Sequence, residues 1–307
     1  MTSTEIIDPR SVGLDARPDT NVLACLLDGQ MRALQTVGTA FESIASGAAL
    51  MADVLLGNGK LVYAGAGSSA LMGNADGLEL AGTFGIDPAR IRLCMAGGLP
   101  TDAALPGGTE DDEGQADRDA EGLGVGDAVI AITASGRTPY AVRFAQVARG
   151  AGARTICIAN VPDALIFAYA TVAICLPTPP ELVAGSTRMG AGTAQKAALN
   201  MMSTLMAMRM GHVHDGMMVN VRADNDKLRA RAHGIVARIA KVPEARAAQA
   251  LIQANGQVKL AIMLAIAGLS PDDASKRLND TQGNLRNALD GLPRSGRNED
   301  AIQTSTE

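Results

Sequence analysis

The chain has no tryptophan, and its other aromatics are only four Phe and three Tyr. A core made from it must pack through Leu, Ile, Val, Met and Ala. The same scarcity removes the stacking platforms on which single-stranded nucleic acids lie. Positive charge is not in excess either. With 27 Lys and Arg against 32 Asp and Glu, the net charge is -5, so the chain as a whole offers nucleic acid no electrostatic footprint. Long apolar runs are absent. The longest, Ala164 to Leu176, falls short of the roughly 20 residues that cross a bilayer as a helix, and no membrane partner is expected. No charged-then-apolar signal segment opens the chain. Cys25, Cys94, Cys157 and Cys175 form no C-x-x-C pair, and three of them sit in apolar runs. They read as buried free thiols in a reducing compartment, which makes the cytoplasm the expected location. His212 and His214 have a spacing that a metal could use, but no third ligand follows, so no metal is expected.

What is present is a repeating pattern. After an irregular start come amphipathic helical patterns near Asn21–Leu34 and Ala40–Leu56. Short β-rich runs then alternate with helical stretches: Lys60–Ala64, Ile91–Met95, Ala128–Thr133, Thr155–Ile158 and Val172–Leu176. Each is apolar through most of its length, which marks strands buried on both faces. The expected fold is α/β, a five-stranded parallel sheet with right-handed crossovers and helices on both faces. Residues 1–58 are expected to pack on a main domain of 59–241, followed by a three-helix module over 242–295 and a tail at 296–307. Gly192 to Met210, with its five Met, is expected to be a helix in the core or in a subunit interface, and its apolar surface predicts a homodimer.

In such a sheet, ligands bind at the carboxyl ends of the strands. Two of those ends run into small, hydroxyl-rich turns that open helices: Gly65-Ala66-Gly67-Ser68-Ser69-Ala70 and Thr133-Ala134-Ser135-Gly136-Arg137-Thr138-Pro139. Free N–H groups and the positive end of the helix dipole suit a phosphate there. Ser68, Ser69, Ser135 and Thr138 are expected to surround one. The first turn also resembles the dinucleotide fingerprint, but the second strand ends in Ala96-Gly97-Gly98 without the carboxylate that a ribose needs. Two ordinary βα turns are the plain alternative. Glu181, ahead of Gly185-Ser186-Thr187-Arg188, has the chemistry to accept sugar hydroxyls while Ser186 and its turn hold a phosphate. Arg188 fits a phosphate ligand or a helix-start salt bridge equally well. Glu79, between Leu78 and Leu80, is expected to be partly buried, which would favour its protonated form. By composition alone, Glu110 belongs to a solvated acidic loop, Glu110-Asp111-Asp112-Glu113.

Taken together, these landmarks resemble the sugar isomerase domain and, within it, the N-acetylmuramic acid 6-phosphate etherases. The likeness spans nearly the whole chain. Its most specific strings are Ala134-Ser-Gly-Arg-Thr-Pro-Tyr140 and Gly185-Ser-Thr-Arg-Met-x-Ala-Gly-Thr-Ala-Gln-Lys196, supported by Asn225-x-Lys227-Leu228-x-x-Arg231. The resemblance implies removal of the lactyl ether from a muramic acid 6-phosphate, yielding N-acetylglucosamine 6-phosphate and D-lactate without metal or nucleotide cofactor. It implies a dimer with sites near the subunit contact. It makes Glu79 the catalytic acid and Glu110 a second acid–base residue, reversing the composition-based reading of Glu110. Some positions depart from the family pattern. Ala70 and Leu71 stand where the family has Gly and Arg, and Leu78 where it has Ser. An aldose–ketose isomerase on another sugar phosphate, or a non-catalytic phosphosugar-binding regulator, would share the fold and the loops.

Overall fold

A computed structural model describes residues 3–103, 105, 107–221, 223 and 225–292; the tail expected at 296–307 lies outside them. Five strands form one parallel sheet: β1 (Leu61–Gly65), β2 (Ile91–Met95), β3 (Ala128–Thr133), β4 (Arg154–Ala159) and β5 (Val172–Cys175). Their order is β2-β1-β3-β4-β5. After β1 the chain steps outward to β2, then returns past β1 to continue through β3 on the other side. The two adjacent strands β1 and β3, paired Leu61 to Ala128 through Gly65 to Ile132, therefore send their helices to opposite sides. A crevice opens between them at their carboxyl ends.

The helices around this sheet are α1 (Asp19–Gln35), α2 (Phe41–Leu56), α3 (Gly67–Phe84), α4 (Glu113–Asp119), α5 (Pro139–Gly150) and α6 (Gly190–Arg209). Strand residues alternate between two apolar layers, as the pleat requires. Val62, Ala64, Val129, Ala131, Cys157 and Ala159 share a cluster with α4 and α5. On the opposite face lie Leu61, Tyr63, Ile130, Ile132 and Ile156, all fully buried. With few aromatics to fill space, elements approach closely. A side chain at Gly73 would meet Ile132 Cδ1 at 2.6 Å, and one at Gly77 would meet Leu93 Cδ2 at 2.7 Å. The backbone of α3 thus rests almost directly on the sheet.

One buried carboxylate ties that layer together. Asp76 of α3 accepts from Tyr63 Oη at 2.8 Å, from Asn200 Nδ2 at 2.7 Å and from Ser203 Oγ at 2.8 Å. Burial first, and then the charge of Asp76, hold the Tyr63 hydroxyl protonated far above the usual phenol range.

The second compact unit comprises Ala81–Gly85 and the chain from Ala207 onward, so packing divides the molecule earlier than the expected boundary at 242. The reason is a shared core. Val219, Ala232, Ile235 and Val236 bury against Leu251, Ile262 and Met263. The unit holds a short hairpin, β6 (Val213–His214) with β7 (Met217–Met218), and helices α7 (Asp226–Ala240), α8 (Glu244–Gln253), α9 (Val258–Ala267), α10 (Pro271–Asp280) and α11 (Leu285–Leu289). Four helices, not three, follow residue 242.

Two stability predictions follow from these contacts. Replacing Asp76 by Ala strands the buried Tyr63 and Ser203 hydroxyls and the half-buried Asn200 amide and should lower the free energy of urea unfolding by about 3–5 kcal/mol, with Asp76→Asn costing less. In the second unit, burial holds the His212 imidazole down at about 3, the Lys259 charge adds to this, and a hydrogen bond with the Phe84 backbone opposes it. Between the unfolded value near 6.5 and that folded value, only the unfolded chain binds the proton, so stability should fall as pH falls through this window. One proton corresponds to a slope of about 1.4 kcal/mol per pH unit. Urea titrations of His212→Gln across the same window should show a shallower slope; an unchanged slope would refute the assignment.

Candidate active site

The crevice between β1 and β3 is formed by the two turns singled out from the sequence. Gly65 ends β1 so close to its neighbour that a side chain there would meet Ile132 O at 2.9 Å. Only Ala66 separates β1 from α3, whose first turn carries Ser68 and Ser69. Ser69 is buried and Ser68 half-buried, and neither hydroxyl bonds to protein among the described residues. Across the crevice, Ser135 is half-buried and accepts from Arg137 N at 3.3 Å. Thr138 shares a hydroxyl–hydroxyl bond of 2.8 Å with Thr133 and precedes α5.

Glu110 reaches the same crevice. Its Oε1 lies 2.7 Å from where a side chain on Gly67 would begin, which places the carboxylate against the amino end of α3. This position depends on a latch at the end of β2. Gln115 Nε2 donates to Met95 O at 3.2 Å and to Asp119 Oδ2 at 3.1 Å, while Gln115 Oε1 accepts from Gly97 N at 2.9 Å. Asp112 caps α4 by accepting from Gln115 N at 2.8 Å. Thr109 packs on Gly97, where a side chain would meet its Oγ1 at 3.1 Å. Glu110 follows Thr109 directly, so the latch carries it to the carboxyl edge of the sheet. Glu110 is exposed like its acidic neighbours, and only the approach of its Oε1 to Gly67 sets it apart from them, which nothing in the composition marks.

Glu79 is placed differently. It is exposed, as is Leu78, while Leu80 is buried, so the expected partial burial is not observed in the single chain. It also stands twelve residues beyond Gly67 on α3, roughly 18 Å along the axis at about 1.5 Å per residue. Within one chain the two glutamates do not meet.

Comparison with known proteins gives the site its context. The SIS domain family model matches residues 29–160. An N-acetylmuramic acid 6-phosphate etherase of Mycolicibacterium smegmatis is 39% identical over 288 residues, covering 93% of this chain and 97% of that protein. One from Burkholderia lata is 40% identical over 296 residues, with 96% and 97% covered. One from Deinococcus radiodurans is 37% identical over 288 residues, with 93% and 94% covered. The chain belongs to the N-acetylmuramic acid 6-phosphate etherase family.

Other residues expected at this etherase-family site have structural occupations. Both oxygens of Glu181 are taken by the amino end of α6, accepting from Gly190 N and Ala191 N at 2.9 Å each. Its carboxylate therefore caps a helix and does not stand open to sugar hydroxyls. Ser186 lies half-buried in the turn before α6, its backbone N–H given to Val183 O at 2.9 Å. Arg137 is exposed and bound to Asp163, through the carboxylate and the backbone oxygen at 3.2 Å each. Arg188 is exposed and makes no ion pair among the described residues.

Gly136 shapes the second turn. Its φ is +72°, and a side chain there would overlap Ala164, with Cβ at 2.2 Å and Cα at 2.7 Å. Gly136→Ala should destabilise the protein by about 2–4 kcal/mol through strain and overpacking. It should also displace Ser135. Urea unfolding alone would register the first effect; substrate KM, measured well below the melting temperature, would register the second.

Proposed function

We propose that this protein cleaves the D-lactyl ether of N-acetylmuramic acid 6-phosphate, releasing N-acetylglucosamine 6-phosphate and D-lactate. Membership of the etherase family over nearly the full chain supports the substrate. The carboxylate of Glu110 beside the α3 amino end is the observation that supports the chemistry. In the reading, the phosphate sits among Ser68, Ser69, Ser135 and Thr138, and α3 turns its free N–H groups toward it. Opening the sugar to its aldehyde acidifies the C2 proton. A carboxylate takes that proton, a carboxylic acid gives one to the departing lactate oxygen at C3, and water then adds back at C3. Glu110 and Glu79 are the two groups proposed for these transfers.

The distance between them along α3 implies a homodimer in which Glu79 of the partner subunit completes the site built on Glu110. An apolar stripe favours such assembly. Leu23, Leu27, Met31 and Leu34 recur along one side of α1 and are 45–64% exposed, and Phe41, which opens α2, is 58% exposed. In the Met-rich α6, Met202 and Met206 are fully buried, while Met201 and Met208 are 41% and 48% exposed. Four free thiols suit a reducing, cytoplasmic setting.

The test is D-lactate release from N-acetylmuramic acid 6-phosphate. Glu110→Gln and Glu79→Gln should each slow it by about 10²–10⁴-fold. When the two inactive variants are unfolded together and reassembled, about half of the dimers are mixed. Each mixed dimer holds one intact site out of two, so about a quarter of wild-type activity should return. Absence of any recovery would place both glutamates in one subunit's site. Wild-type rates in both single variants would overturn the etherase reading.

A further inference from the structure

The second unit contains a cavity of about 730 Å³, within the size range of small-molecule sites, whose lining belongs entirely to that unit. Among the described residues, no acidic one lines it. Lys259, at the start of α9, is 92% buried there, being 8% exposed, and its Nζ donates to Gly283 O at 2.6 Å. An ammonium has three N–H donors. No other partner for Lys259 occurs among the described residues, and none of its contacts involves a carboxylate. A buried cation without a counter-charge is costly, and here burial alone brings the Lys259 amine down to about 8. The amino end of α9 opens on the same space. Gln257, its cap position, makes no side-chain cap bond, so the first N–H groups of this ten-residue helix are left for another acceptor. His212, Asn220, Ser275 and Asn279 complete the polar walls. His212 is neutral through the physiological range, with Asn220 Nδ2 3.5 Å from its Nδ1.

We propose that this cavity is a binding site for the phosphate group of a phosphorylated sugar, with Lys259 and the amino end of α9 holding the anion and the amide and hydroxyl walls facing the sugar. The Lys259 ammonium and the first residues of α9 line one cavity, and several N–H donors there suit the three terminal oxygens of a phosphate monoester better than the two of a carboxylate. The walls offer neutral donors and acceptors, which suit hydroxyl groups, beside apolar patches from Val219, Val258 and Leu278 that suit the carbon face of a sugar ring. Its lining shares no residue with the Ser68 and Ser135 turns, and the proposal does not depend on the etherase reading.

The full-length protein is treated with acetic anhydride, and modification of Lys259 is followed by peptide mass spectrometry. Saturating N-acetylglucosamine 6-phosphate should slow acetylation of Lys259 by about ten-fold. Inorganic phosphate should slow it partially and N-acetylglucosamine not at all, while the exposed Lys227 and Lys241 report no change. The same protection should persist in a Ser68→Ala/Ser135→Ala chain, in which the first unit's proposed phosphate turns are disabled. Calorimetry on that chain should show a Lys259→Met substitution weakening the remaining binding at least about ten-fold. Loss of protection in the double variant would assign the anion to the first unit and overturn the proposal. So would equal protection by the unphosphorylated sugar, no protection at all, or a free Lys259 that acetic anhydride cannot reach. Lactate release is scored separately, so failure here leaves the etherase reading standing, and the reverse also holds.

Discussion

Three hydrogen bonds to one buried carboxylate decide where α3 lies. Asp76 joins the hydroxyl of Tyr63 on β1 to Asn200 and Ser203 on α6. Gly73 and Gly77 bring the same helix down onto Ile132 and Leu93. Polar contacts fix its direction and small residues fix its height. Because α3 begins one residue after β1, fixing the helix also fixes the turn that precedes it. Ser68 and Ser69, in the first turn of α3, are then set by the packed helix and not by a free loop.

Glu110 arrives by a separate route. The latch formed by Gln115, Asp112 and Asp119 anchors the segment that carries it, together with the packing of Thr109 on Gly97. Tyr140 of α5 extends that network by donating to Asp119 Oδ2 at 2.7 Å, so the helix after the Ser135 turn and the segment carrying Glu110 share an anchor. Both sides of the crevice are therefore braced by polar bonds, buried around Asp76 and part-buried around Asp119, while the Ser68 and Ser69 hydroxyls bond to no described residue.

Much of this was readable from the chain alone. Ile91–Met95 and Ala128–Thr133 are strands over the residues that their apolar runs predicted, and Lys60–Ala64 is shifted by one. Runs without polar alternation mean burial on both faces, and local composition carries that information. The two hydroxyl-rich turns were equally plain, because glycine and serine at a strand end have few other uses. What escaped was set by contacts distant in sequence. Glu110 sits in an acidic run, and its place beside Gly67 depends on Gln115 reaching Met95 twenty residues earlier. Glu181 looked like a sugar ligand because its partners, the N–H groups of Gly190 and Ala191, lie nine and ten residues on. Lys259 sits in a helical stretch whose apolar neighbours, Val258 and Leu260, disguise it as an ordinary core-edge lysine. The boundary expected at 242 followed a change in composition, whereas the core that binds α7 to α8 and α9 ignores it.

The distribution of the three tyrosines has an optical consequence. Tyr63, Tyr140 and Tyr169 all belong to the sheet-containing unit, and the chain has no tryptophan, so the helical unit lacks an ultraviolet fluorophore beyond Phe84. Two of the three emitters give their hydroxyl to a carboxylate, Tyr63 to Asp76 and Tyr140 to Asp119, a contact that quenches phenol emission. Tyrosine emission should therefore be dim in the native protein and brighten as the sheet unit opens, while loss of far-ultraviolet ellipticity registers both units. A gap between the two signals during denaturation would separate the melting of the helical unit from that of the sheet, without a label or an added reporter.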